Sequence, residues 1–297
     1  MEDVGLHISG IESVNVCDSI KVGDSDRDKY IENYIKTLEH LGKEDIHMVC
    51  YNFMPVFDWT RTQLDHELSD GSTSLVYYQS QVDKVNPLNG DSDLTLPGWD
   101  ASYTREKLAS VVAEYNQMTE EDLWENLRYF IERVIPVAKE CDVYMAIHED
   151  DPCWSIFGLP RIIVDEKSID RFLGLYDDVH HGITLCTGSL GCSEKNDVVK
   201  MAYKYAKMGR VHFAHLRNVA LVEDGFEERA HLSSCGSLDM YAIAKALHDG
   251  GFTGYVRPDH GRMIWDEKGR AGYGLFDRAL GATYINGLFE AIEKADK

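Results

Sequence analysis

Short apolar runs rich in β-branched and aromatic residues recur along the chain, and amphipathic segments of helical length separate them. Such alternation predicts strand–helix–strand units, which form a parallel sheet with right-handed crossovers. Both a doubly wound sheet and a barrel satisfy the pattern. The predicted strands are Leu6–Ile11, Met48–Phe53, Val143–Ile147, Ile183–Cys186, Val211–His215 and Tyr255–Arg257. The predicted helices are Asp28–Leu41, Thr104–Met118, Glu120–Glu140, Glu166–Tyr176, Asn196–Met208 and Asp239–His248.

Residues 62–103 interrupt this alternation. Turn sequences such as Asp70-Gly-Ser72 and Leu96-Pro-Gly-Trp99 occur there without sustained periodicity, which predicts a long loop insertion within a single domain spanning residues 1–297. Loops of this length inside compact domains are usually functional or disordered. Two interpretations stay open: a lid over a site beside Asn52 and Arg61, or a surface excursion with no role in binding.

Composition excludes several classes of protein. The chain carries 51 acidic against 30 basic residues and a net charge of -21, without the clustered Lys and Arg that nucleic-acid binding requires. No apolar stretch approaches the roughly 18 residues of a membrane span, and the start carries Glu2 and Asp3 where a secretory signal carries positive charge. We therefore expect a cytoplasmic protein that binds neither nucleic acid nor membranes. Its cysteines are expected to be reduced, since they show no close pairing.

Metal-binding side chains stand at the carboxyl ends of four successive predicted strands: His148, Cys186, His215 and Asp259. In parallel α/β folds these strand ends converge on the ligand site. Each residue alone is more easily explained as structural, but the coincidence over four strands favours a metal centre. A thiolate and a carboxylate neutralise a divalent ion, and two neutral imidazoles complete the set. Iron, zinc and manganese all fit these donors.

Further candidates follow from strand alternation and from the carboxyl-end loops. Arg217 shares a strand face with His215, and Arg257 shares one with Asp259, so each arginine is predicted either to bind a substrate carboxylate or to hold the ligand aspartate. For Arg257 we favour the second role. His260 and Tyr273 lie in loops at the same end and are predicted to transfer protons.

Other polar and thiol residues are more ambiguous. His231 is a further candidate for the site, although an isolated histidine is more often structural. The acidic trio Glu149, Asp150 and Asp151 is interpreted either as support for the metal ligands or as the start of a helix. The remaining cysteines lack a strand-end setting and are expected to be structural: Cys17, Cys50, Cys141, Cys153, Cys192 and Cys235.

The sequence closely resembles the mannonate dehydratase family over almost its whole length. The long identical runs make a chance match untenable. The matching stretches are Ile11-Glu-Ser13, Cys50-Tyr-Asn-Phe-Met-Pro-Val-Phe-Asp-Trp-Thr-Arg61, Met145-Ala-Ile-His148, Phe157-Gly-Leu-Pro-Arg161, Cys186-Thr-Gly-Ser189, His215-Leu-Arg217, Ala230-His-Leu232, Arg257-Pro-Asp-His-Gly261 and Gly272-Tyr-Gly274.

The resemblance implies a TIM-like barrel of the xylose isomerase type, Mn²⁺ or Fe²⁺ as cofactor, and dehydration of D-mannonate to 2-keto-3-deoxy-D-gluconate in hexuronate breakdown. The family's metal ligands fall on the strand-end residues already named, and its proposed acid–base pair falls on His260 and Tyr273. We assign substrate binding to Asn52, Arg217 and His231. A homo-oligomer is expected. Two alternatives stay open: a sugar-acid isomerase or epimerase of the same barrel class, and a shortened homologue without activity.

Three departures from the family pattern qualify this resemblance. The chain opens within the family's interior, so about two strand–helix units are absent, leaving roughly six of the eight strands of a closed barrel. Cys17 stands where the family has histidine, and Glu149 where it usually has proline. A misplaced gene start, a fragment, and a shortened protein that closes by association are all compatible with the missing strands.

Overall fold

The computed structural model describes residues 4–84 and 105–296, with the side chains of 105–108 excepted. The strands are β1 (Ile11–Glu12), β2 (Met48–Tyr51), β3 (Gln63–Glu67), β4 (Thr73–Tyr78), β5 (Tyr144–His148), β6 (His181–Cys186), β7 (Val211–Leu216), β8 (Asn218–Val222), β9 (Gly225–Arg229) and β10 (Tyr255–Pro258). The helices are α1 (Asp18–Val22), α2 (Arg27–Lys43), α3 (Gln79–Val82), α4 (Arg105–Tyr115), α5 (Glu120–Glu140), α6 (Glu166–Leu173), α7 (Thr187–Gly191), α8 (Val198–Lys207), α9 (Met240–Asp249) and α10 (Leu275–Ala295).

A six-stranded parallel sheet forms the centre, in the order β1-β2-β5-β6-β7-β10. Each strand is added on the same side as the one before it, without the reversal of order that defines a doubly wound sheet. The first and last strands are joined by an ion pair between Glu12 and Arg257, so the sheet curls until its two edges approach each other. The strand order and this curvature favour a barrel.

The two faces of the sheet have different surroundings. On one face, Met48, Cys50, Ala146 and Phe213 form a small apolar cluster of their own. The alternating residues, such as Val49, belong to the large core shared with the helices. Because residues two apart share a strand face, His148 and His215 continue the small cluster toward the carboxyl ends of β5 and β7. The predicted ligands therefore lie inside the curled sheet.

A second sheet, antiparallel and in the order β3-β4-β9-β8, was not predicted. It corrects the loop expected at 62–103: residues 63–82 form a hairpin and the short helix α3. The hairpin escaped sequence analysis because Leu75, Val76 and Tyr77 are all buried, so β4 shows no alternation. The rest of the expected loop, residues 85–103, lies outside the described residues.

The remaining predicted elements are found with small shifts, with one exception. The strand expected at Leu6–Ile11 is reduced to Ile11–Glu12, since only these two residues pair with β2, and Leu6 is exposed. Helix α10 was not predicted, because its buried residues form no regular apolar stripe.

Helix α5 has the predicted limits. Its first turn is closed by a capping box: the hydroxyl of Thr119 accepts from the backbone N–H of Asp122, whose carboxylate accepts from the N–H of Thr119. Pro136 lies inside the helix without ending it. None of the helices in the described part of the chain is long and apolar enough to cross a bilayer.

Candidate active site

Three of the four predicted metal ligands meet at the carboxyl ends of β5, β6 and β7. One ligand atom from each of His148, Cys186 and His215 lies within 4.8 Å of the other two. Cys186 and His215 are buried, so water competes little for their donor atoms. A thiolate with two imidazoles is a donor set that divalent transition metals accept, with room left for substrate oxygens.

The surroundings of the two histidine rings suit metal binding. The Nδ1 of His148 lies 2.7 Å from the backbone carbonyl oxygen of Glu149. This contact fixes the proton on Nδ1 and leaves the lone pair of Nε2 free to bind a metal ion. His215 is 1% exposed, and neither of its ring nitrogens has a hydrogen-bond partner among the described residues. Burial holds the pKa of His215 well below its usual value, so the ring is neutral. Unpaired buried nitrogens are costly unless they bind something.

Asp259, the fourth predicted ligand, borders this cluster. Its carboxylate oxygens lie 3.7 Å from the Sγ of Cys186 and 3.7 Å from the Nδ1 of His215. Arg257 pairs with the same carboxylate, as its strand spacing predicts, and an Nη of Arg217 lies 3.2 Å from it. Both arginines thus stabilise the ionised form that a metal ligand needs.

A cavity of about 100 Å³ opens beside these ligands. It brings together Asn52, Arg217, His260 and Tyr273 with three of the predicted metal ligands, His148, His215 and Asp259. Sequence analysis gave no role to Glu12, Asp58 or Trp59, which also line it, and Cys50, expected to be structural, lines it too.

His231 is not among the residues that line this cavity. Its buried ring packs instead against Gly281 of α10, where an added Cβ would lie 2.5 Å from Nδ1. The predicted contact between His231 and substrate therefore has no support from its position.

The two predicted proton-transfer groups are neighbours. The ring centroids of His260 and Tyr273 are 5.9 Å apart, and both side chains line the cavity. Burial raises the pKa of Tyr273, which keeps its phenol protonated at neutral pH. Trp59 packs edge-on against His260 with ring centroids 5.0 Å apart, so the imidazole is confined on that side.

A buried network of charges supports the site from behind. Arg61 is fully buried and binds Asp151 at 2.8 Å and Glu228 at 2.6 Å. Arg217 binds the second oxygen of Asp151 at 2.6 Å, and the hydroxyl of Ser189 lies 3.1 Å from that carboxylate and 3.1 Å from the Sγ of Cys186. Burial alone would raise the pKa of Asp151, but Arg61 and Arg217 together hold it well below its usual value. The network therefore stays ionised and links the metal ligands to β9.

The acidic trio after His148 forms part of this support and does not begin a helix. All three side chains are buried. Glu149 accepts from the backbone N–H of Cys186 at 3.1 Å, and burial raises its pKa to about 7. Asp150 accepts from the backbone N–H groups of Ile162 and Ile163, both at 2.7 Å. Supporting the ligand loops is thus the correct interpretation of the trio.

Sequence analysis missed Glu228 because it missed the hairpin that carries it. β8 and β9 are joined by Glu223 and Asp224 alone. The short polar run Glu223-Asp224-Gly225 between the apolar segment Val219–Val222 and Phe226 is a hairpin signal that was available in the sequence.

The fold agrees with a known class of barrel. The xylose isomerase-like TIM barrel protein from Mycobacterium smegmatis aligns with a TM-score of 0.53 at 12% identity, over 98% of this chain and 76% of that chain. With the strand order and the strand-end ligands, this likeness defines a (β/α) barrel of the xylose isomerase-like type with a candidate metal centre. The chain belongs to the D-mannonate dehydratase (UxuA) family, a family of hydro-lyases, whose model matches residues 1–297.

Individual relatives agree with this family. Mannonate dehydratase 2 from Halalkalibacterium halodurans is 55% identical over 293 residues, which cover 98% of this chain and 84% of the relative. The crystal structure of mannonate dehydratase from Streptococcus suis serotype 2 aligns with a TM-score of 0.92 at 48% identity, over 99% of this chain and 80% of that chain. The resemblance and the barrel class expected from the sequence are therefore confirmed. This chain is shorter than both relatives.

Proposed function

We propose that the protein removes water from D-mannonate to give 2-keto-3-deoxy-D-gluconate, with Mn²⁺ or Fe²⁺ at the His148, Cys186 and His215 cluster and Asp259 as the fourth ligand. The observation that carries this proposal is the convergence of His148, His215 and Asp259 with His260 and Tyr273 on one cavity, with Cys186 beside the two histidines. The 55% identity to a protein named mannonate dehydratase supports the choice of substrate.

The reaction removes the proton at C2 of the sugar acid and expels the hydroxyl at C3. Negative charge then develops beside an ionised carboxylate, and a divalent cation held by His148, Cys186, His215 and Asp259 would spread that charge as a Lewis acid. His260 takes the C2 proton, since its ring lies in the cavity wall. Tyr273 gives a proton to the departing hydroxyl, because burial keeps its phenol protonated. Arg217 and Asn52 orient the substrate through its carboxylate and hydroxyl groups.

The test is product analysis with purified protein, D-mannonate and either metal. Formation of the keto-deoxy acid supports the proposal. Formation of an epimer or isomer instead favours the second candidate, because metal-assisted proton removal at C2 also serves those reactions. Bound metal without turnover favours an inactive homologue.

Removal of the metal is expected to abolish dehydration and to lower the melting temperature. Without an ion, the nitrogen of His215 that would bind it is left buried and unpaired, and the folded state loses the stabilisation that bound ligand provides. Dialysis against a chelator, followed by addition of Mn²⁺ or Fe²⁺, checks both effects by calorimetry and product formation. Full activity in protein shown to be metal-free would contradict the assignment.

We also propose a cytoplasmic homo-oligomer. Within the described residues, β1 and β10 each pair on one side only, and exposed sheet edges invite pairing with another chain. Tyr255 on β10 and Leu6 near β1 are large, exposed apolar residues. Light scattering is expected to give a mass of at least two chains, and a monomer at micromolar concentration would contradict this proposal.

A further inference from the structure

Glu228 contacts His260 from outside the barrel. It lies on β9 of the antiparallel sheet, and both of its carboxylate oxygens are 2.8 Å from the Nδ1 of His260. Among the described residues, the other ring nitrogen, Nε2, has no hydrogen-bond partner, although the ring lines the cavity. One nitrogen of His260 is therefore engaged by protein, and the other is free for substrate.

The proton on Nδ1 follows from its neighbours. An Nη of Arg217 also lies 3.1 Å from Nδ1, and an arginine can only donate. Nδ1 cannot donate to Glu228 and accept from Arg217 at once. The carboxylate offers two acceptors at shorter range and carries charge, so the bond to Glu228 is the stronger one. Nδ1 thus carries a proton, and Nε2 is the nitrogen that can offer a lone pair to the substrate.

The carboxylate of Glu228 is itself fixed. Arg61 binds one of its oxygens through Nε at 2.8 Å and through Nη2 at 2.6 Å. Glu228 is 3% exposed, and β9 pairs with strands on both sides, β4 and β8. A group held this firmly restricts the ring that it binds.

We propose that Glu228 is a positioning residue, which holds the proton of His260 on Nδ1 and directs the bare Nε2 at the substrate. Nothing in the sequence pattern assigned it a role. The second sheet then has a function in catalysis, since it supplies the support for the base. The inference rests on the proposed function of His260 in proton transfer.

Kinetics of Glu228→Gln test the consequence for catalysis. We expect kcat to fall about 10- to 100-fold with KM within about threefold and metal content unchanged, because the lost contact orients a group that acts in the transition state. Glu228→Asp is expected to recover part of the loss. An unchanged kcat, a rise in KM alone, or loss of metal would overturn the proposal in favour of a purely structural role.

The matched control is Glu227→Gln, one residue earlier on β9. Glu227 accepts from the hydroxyl of Tyr78 at 2.7 Å and pairs with Arg229, and it does not line the cavity. Wild-type kinetics are expected for it. A loss in Glu227→Gln as large as that in Glu228→Gln would show that disturbance of β9 alone is sufficient, and would overturn the proposal.

Nitrogen NMR tests the position of the proton without turnover. Histidine-labelled, Zn²⁺-loaded protein at pH 8 is expected to show a protonated Nδ1 at His260, with the signal assigned through His260→Gln. This state is expected to be lost in Glu228→Gln. A bare Nδ1 in the wild type would overturn the inference whether or not the protein dehydrates mannonate. A protonated Nδ1 in a protein without turnover would uphold the geometry and refute only the proposed function.

Discussion

Arg61→Met is expected to destabilise the protein by about 3–5 kcal/mol, the cost of leaving buried charges without their partner. Arg61 is fully buried between Asp151 and Glu228, so the substitution removes the positive charge that these two buried carboxylates share and leaves each with fewer partners. Urea unfolding followed by circular dichroism measures the loss. Activity is expected to fall with it, since the same carboxylates contact Arg217 and His260.

The control for this experiment is Arg128→Met, on the surface of α5. Arg128 is half-exposed and pairs with Glu125 of the same helix, an arrangement that contributes about 0.5 kcal/mol or less. If Arg61→Met changed the free energy of unfolding no more than Arg128→Met does, the buried network would not stabilise the fold. A methionine of similar length limits the contribution of a simple cavity to the result.

Cys186→Ser is expected to remove the metal and to lower kcat/KM on the order of 10³-fold, since Lewis-acid stabilisation contributes several kcal/mol to such a transition state. A serine hydroxyl does not ionise at neutral pH and cannot replace the thiolate that faces His148 and His215. Elemental analysis of the purified variant measures metal per chain. The substitution keeps nearly the same volume, so the fold is expected to survive.

Cys235→Ser provides the comparison, because Cys235 is an exposed free thiol outside the cavity. We expect it to retain wild-type metal and activity. A full equivalent of metal in Cys186→Ser would contradict the ligand assignment. It would favour Glu12 and Cys50 as ligands instead, because they form a second candidate group with His215 in the same cavity.

The parts of this site that lie at the ends of parallel strands could be predicted from the sequence. His148, Cys186 and His215 each end or nearly end a buried apolar strand, and the sheet geometry alone brings them together. The same logic located His260 and Tyr273. Local sequence determines these positions because strand direction and strand face are set by short-range patterns.

The supporting network could not be predicted in the same way. The bond between Arg61 and Glu228 spans 167 residues, and that between Arg217 and Asp151 spans 66. Such pairs depend on how the second sheet packs against the barrel, and no periodicity within either segment encodes that packing. The substrate contact of His231 stays a prediction without support from its position, since its ring packs against Gly281 and does not line the cavity.

The two-residue strand β1 is the weakest attachment of the cavity wall to the sheet. Only Ile11 and Glu12 attach it to the sheet, yet Glu12 and Ser13 form part of the cavity wall, and Glu12 holds the arginine that pairs with Asp259. Local opening of such a short segment requires far less free energy than opening of the core. The cavity is therefore expected to open through local detachment of β1 under conditions in which the core stays folded.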